Sequence, residues 1–204
     1  MFYRIIGLEL SGKMKPQVPE WAACNGQYDR AIERFSKNKP KFAPLHTKFC
    51  KLTTTSAWAK DDLISLVEYK LSRGTFRPGL LQKVKSNSAG SIVTAIRDAQ
   101  AAISGTLIGW EEVHQAAKIL VGLFGVGPTT ASLVLSCMSS QVPFMNDAAL
   151  AYVLPSKPKY TMKEFQLLFQ ECSKYADMLE MDQREVANCM WTFSTLKSFD
   201  PASV

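Results

Sequence analysis

Residues 120–135, Leu-Val-Gly-Leu-Phe-Gly-Val-Gly-Pro-Thr-Thr-Ala-Ser-Leu-Val-Leu, and residues 142–150, Val-Pro-Phe-Met-Asn-Asp-Ala-Ala-Leu, decide the fold of this 204-residue chain. Upstream, Val113, Ala116, Ala117, Leu120 and Val121 recur at the spacing of one buried helical face, so a helix is expected from Glu111 to about Gly122. Gly125 and Gly127 flank Val126, and glycine accepts a positive φ and a close backbone approach at least cost. Pro128 suits the first turn of a following helix, where a missing N–H is no loss; Thr129 to Met138 continues it through Ala131, Leu133, Val134 and Leu135. Two helices pinched by a glycine hairpin leave the N–H groups of Gly125, Gly127 and Thr129 directed outward at a positive helix end, where anions bind. A short proline turn then delivers a carboxylate, Asp147, to the start of a third helix.

Working outward, Leu63, Leu66, Val67 and Leu71 trace a core-facing stripe that stops at Gly74, with N-cap candidates at Thr53, Thr54, Thr55 and Ser56. Arg73 to Pro78 reads as a loop whose Arg73 and Arg77 are candidates for contact with a backbone or a partner carboxylate, against the commoner role of pairing with local acids. Leu80 to Ser86 and Ser91 to Ile103 are expected as helices, as is Thr161 to Ala176, which opens on the capping-box pattern Thr161-Met162-Lys163-Glu164. Asp182 to Leu196 closes the chain with Val186, Cys189, Met190 and Phe193 on one face, and Trp191 and Phe193 read as core. No stretch alternates with period two, so the expectation is an all-α fold of about eight to ten helices.

Leu123 to Ala131 resembles the helix-hairpin-helix motif, and Asp147 follows it as does the aspartate of the helix-hairpin-helix DNA glycosylase superfamily. Val67 to Pro78 is similar to a stretch in poorly characterised eukaryotic relatives that carry the same hairpin. The resemblance implies a multi-helix DNA-glycosylase-like domain in which the hairpin amides, here Gly125, Val126, Gly127, Thr129 and Thr130, hold a DNA phosphate. Asp147 would face the sugar of a base flipped out of the duplex. A carboxylate there stabilises the positive charge that builds as an N-glycosidic bond breaks, and it can orient the attacking water. Relatives that also nick DNA carry an attacking lysine on the second hairpin helix. Thr129 and Thr130 stand in that region, so no strand-nicking lyase activity is expected. No cofactor is implied beyond a monovalent cation at the hairpin backbone, and with only Cys172 and Cys189 near the C-terminus no iron–sulfur cluster is expected.

Composition sets outer limits. Hydrophobic content of 47% without an apolar run near ~18 residues argues against a membrane span, and Arg4 and Glu9 interrupt an opening segment that makes a poor signal peptide. Five scattered cysteines without zinc spacing point to reduced thiols in an intracellular setting, nuclear or cytoplasmic, with no metal site. The net charge of +6 lies wholly in residues 1–51, which hold ten Lys and Arg against four Asp and Glu. Residues 1–52 therefore read as a basic extension packed on a helical domain at 53–199, with one helix from Asn25 to Ser36. Lys39 and Lys41, among Phe42, Phe49, Pro40 and Pro44, are candidate DNA or partner contacts, the plainer reading being a solvated arm. Residues 121–156 carry no Lys or Arg, so backbone amides would have to grip any phosphate there.

Asp147 is open to a structural role, since Asn146-Asp147 precedes an apolar run and either side chain can cap a helix. The hairpin likewise is open to being an ordinary αα-turn. Three functions follow: a monofunctional base-excision enzyme, a non-enzymatic DNA-binding module in which Asp147 only caps, and a helical protein-interaction module that kept the fold alone.

Overall fold

The computed structural model describes residues 18–53 and 57–199. Among them the chain is all-helical: a short 3₁₀ turn, Glu20–Cys24, precedes α1 (Tyr28–Asn38), α2 (Phe42–Leu52), α3 (Lys60–Arg73), α4 (Leu80–Lys85), α5 (Ala89–Ala102), α6 (Trp110–Val121), α7 (Pro128–Met138), α8 (Asp147–Val153), α9 (Met162–Leu179) and α10 (Gln183–Phe199). No helix among the described residues is long and apolar enough to cross a membrane.

The helix α7 is the hub. Every residue from Thr130 to Cys137 is buried, as expected of a helix apolar on all sides, and α3, α5, α6 and α9 pack around it. A second group forms on α10, which meets α1, α8, α9 and the 3₁₀ turn. Leu63, Leu66 and Val67 are buried on α3, which packs on α2 and α7, and Ile92, Ile96, Val113 and Ala117 are buried on α5 and α6, which pack on each other. The predicted capping box is in place: Thr161 Oγ1 accepts the Glu164 N–H at 3.2 Å and Glu164 Oε2 accepts the Thr161 N–H at 2.7 Å.

Several expectations need correction. The stretch from Phe42 to Leu52, read as an arm, is a helix, because Pro44 falls in its first turn, where no intrahelical donor is lost. Phe42 and Leu52 are buried against α3, and Trp21, Cys24 and Ala31 join the same core; residues 1–17 lie outside the described part. The N-terminus of α3 does not use Thr53, whose hydroxyl donates to the Cys50 carbonyl at 2.7 Å. Thr54, Thr55 and Ser56 lie outside the described residues, and α3 begins at Lys60 with the Ala59 N–H donated to Asp62 Oδ2 at 2.7 Å.

Candidate functional site

Where the α6–α7 hairpin meets the segment entering α8, a cavity of about 420 Å³ opens, a size typical of small-ligand sites. Gly125, Gly127, Thr129, Thr130 and Asp147 all line it. The turn into α8 is held against α7 because Ser132 Oγ accepts the Met145 N–H at 3.0 Å, two residues before Asp147.

Asn146, not Asp147, caps α8. Its Oδ1 accepts the Ala149 N–H at 2.9 Å, while the Asp147 side chain is exposed to the cavity and accepts the Tyr160 hydroxyl at 3.0 Å. Tyr160 holds that position from a left-handed backbone, φ 59°, which costs a bulky residue of order 1 kcal/mol or more and concentrates at sites where geometry matters. Burial and then the hydrogen bond to Asp147 push the Tyr160 phenol up, so it stays a donor. Gly74 backs the carboxylate from the other side: a Cβ there would sit 3.4 Å from Asp147 Oδ2.

The hairpin is a rigid object. Gly125 has φ +82°, and Asn87 clasps the tip by accepting the Phe124 N–H and donating to the Phe124 carbonyl, both at 2.9 Å. Among the described residues, the N–H groups of Gly125, Gly127 and Thr129 donate to no acceptor. Two of the five expected amides are already used: Val126 N–H goes to the Leu123 carbonyl at 3.1 Å and Thr130 N–H to the Gly127 carbonyl at 2.9 Å. The Val126 side chain is buried and does not line the cavity, whereas Gly125, Gly127, Thr129 and Thr130 do, with Pro128 between them.

The cations that residues 121–156 lack come from elsewhere. Lys70 of α3, half-buried, donates to Thr130 Oγ1 at 2.8 Å. Burial first, and Arg77 second, lower its pKa to about 8, with Asp147 opposing them. Arg77, an expected contact, lies over the Tyr160 ring at 4.7 Å and lines the cavity with Lys159. Arg73 is not a loop residue: it ends α3, is buried, and stacks on Trp191 at 3.9 Å. Instead of a local acid it meets two phenols, donating through Nη1 to Tyr69 at 2.8 Å and Tyr28 at 3.2 Å. Lys39 Nζ donates to the Ser72 carbonyl at 3.1 Å at the end of α3, whereas Lys41 is exposed at the start of α2 and does not line the cavity.

Lys70 and Tyr160 were not singled out from sequence, and Trp191, read as core, is buried as expected but also lines the cavity. For Lys70 a signal exists: positions 63, 66, 67, 70 and 73 share one face of α3, so Lys70 and Arg73 continue a core stripe with two cations. Comparison of the chain with known protein families, with curated proteins and with solved structures gave no match.

Proposed function

We propose that the chain is a DNA-binding helix-hairpin-helix protein that works as a monofunctional base-excision DNA glycosylase, with Asp147 as its catalytic carboxylate. One observation carries the reading: three amides without acceptors and an exposed carboxylate line the same cavity. The amides at the start of α7 are suited to a backbone phosphate. A duplex held there would bring a flipped nucleotide to Asp147, whose charge stabilises the sugar cation more than the ground state and can orient a water toward the anomeric carbon. Tyr160 fixes one carboxylate oxygen and leaves the other free for this role.

The test is a panel of duplexes with alkylated, deaminated or oxidised bases, treated with alkali to reveal abasic sites. The expected result is base release on at least one lesion, falling about 10²–10³-fold in Asp147→Asn, the usual cost of removing one preorganised electrostatic group. A blank panel with the folded protein would overturn excision.

A non-enzymatic DNA-binding module is the second reading, favoured by the engagement of Asp147 with Tyr160. Gly127→Leu separates grip from fold. Gly127 has φ −110° and open space where a Cβ would go, so a side chain fits the protein but obstructs the approach of a phosphate. Duplex affinity, measured by fluorescence anisotropy at two salt concentrations, is expected to fall about tenfold with the melting temperature unchanged. Salt-dependent binding lost in Gly127→Leu together with a blank lesion panel would select this reading. Absence of salt-dependent binding would sink both.

A further inference from the structure

The cavity wall carries more positive charge than the hairpin and Asp147 explain. Lys70, Arg73, Arg77 and Lys159 face it against one carboxylate, and among the described residues none of the four forms an ion pair with a carboxylate. Arg73 is the most telling, because it is only 8% exposed and its Nε and Nη2 have no hydrogen-bond partner among the described residues. Among the described residues its side-chain acceptors are the phenols of Tyr69 and Tyr28. Burial foremost holds Tyr69 well above its ordinary pKa, so that hydroxyl is neutral and supplies no countercharge. A guanidinium remains protonated in a protein, and a buried one without an anion is costly unless a ligand completes it.

We infer that the cavity binds a nucleotide by its phosphate, which Lys70, Arg77 and the free hairpin amides contact while Arg73 supplies positive charge from behind. Phe35, Phe144 and Trp191 line the same cavity, the last two against the Arg73 guanidinium, and offer apolar surface to the rest of such a molecule. A volume of about 420 Å³ accommodates one ligand of that size. Lys70 is the group that titrates: burial foremost and then Arg77 disfavour its charge, Asp147 favours it, and a bound phosphate would restore it. The inference does not depend on base excision. The nucleotide is either free or the phosphorylated 5′ end of a strand, and the phosphate chemistry is common to both.

The experiment is calorimetric titration of the full chain with deoxyadenosine and deoxycytidine monophosphates, their nucleosides, inorganic phosphate, and a short single strand with and without a 5′-phosphate. The expected result is that a monophosphate, or the phosphorylated strand, binds at least about tenfold tighter than its unphosphorylated form and than inorganic phosphate. Lys70→Met and Arg77→Gln should each weaken that binding by about tenfold with an unchanged helical circular dichroism spectrum. Tighter binding of the free nucleotide assigns a small-molecule ligand, and tighter binding of the phosphorylated strand assigns a strand end. No binding of either, equal binding of unphosphorylated forms or inorganic phosphate, or indifference to both substitutions overturns the inference. Lesion excision without nucleotide binding would overturn it while leaving the proposed enzyme standing; nucleotide binding with a blank lesion panel would do the reverse.

Discussion

Lys70→Met is expected to make the folded chain more stable at pH 7, by about 2 kcal/mol, although it deletes a hydrogen bond. The Lys70 ammonium is held at a pKa of about 8, against 10.5 for the free side chain. That difference is worth about 3 kcal/mol against the charged form. Loss of the bond to Thr130, about 1 kcal/mol, is subtracted. Below pH 8 the amine is protonated in both folded and unfolded chains, so the folded state carries the full cost. As pH rises from about 8 to 10.5 the folded chain sheds the proton first and the cost is relieved. The stabilising effect of methionine should therefore shrink across that window. Urea denaturation of both proteins at pH 7 and pH 10 measures it, and a variant less stable than the parent at pH 7 would contradict the assignment. Stability gained at the expense of ligand binding is the mark of a residue retained for its chemistry.

Gly125→Ala is expected to destabilise the chain by about 3 kcal/mol or more, the larger single effect. A non-glycine residue in the left-handed region costs roughly 1–2 kcal/mol, and the added Cβ would stand 2.8 Å from Lys83 Cβ and 3.1 Å from the Val84 nitrogen. Neither neighbour yields easily, because both belong to the body of α4. A fall in melting temperature of roughly 10 °C follows for a domain of this size, readable by circular dichroism. A variant that melts with the parent would mean that the hairpin does not dock on α4 as described. Gly125 and Gly127 look alike in sequence, yet only Gly125 is required by the backbone and the packing; Gly127 keeps its approach clear.

The helices legible in the sequence were those with an unbroken 3.6-residue period. The expected span from Glu111 to Gly122 corresponds to α6, and Thr129 to Met138 to α7. Turn chemistry was legible where the side chain acts locally, as at Thr161 and Glu164. The helix α2 was obscured by Pro40 and Pro44, because a proline reads as a breaker until its position within a helical turn is known. At the candidate site Asp147 stood out, but not the capping of α8 by its neighbour Asn146, since adjacent cap formers compete and only the backbone angles decide between them. Lys70, Tyr160 and Trp191 reach the cavity from three separate elements, and that convergence is a property of packing. Arg73 was read as a loop residue because burying a guanidinium without an acid is rare; apart from Tyr69 one turn back on α3, its aromatic surroundings, Tyr28, Phe144 and Trp191, come from distant parts of the chain.

The clasp of Asn87 on Phe124 has a thermodynamic corollary. The same short element is tied to α3, because Lys60 Nζ donates to the Lys85 carbonyl at 2.7 Å and to the Asn87 carbonyl at 2.6 Å. The outer tip of the bend is thus strapped to the helix that bears Lys70 and Arg73. Load on one is felt by the other. Whatever factor a strand on the bend contributes to the affinity of a small anion inside, that anion returns to the strand in equal measure.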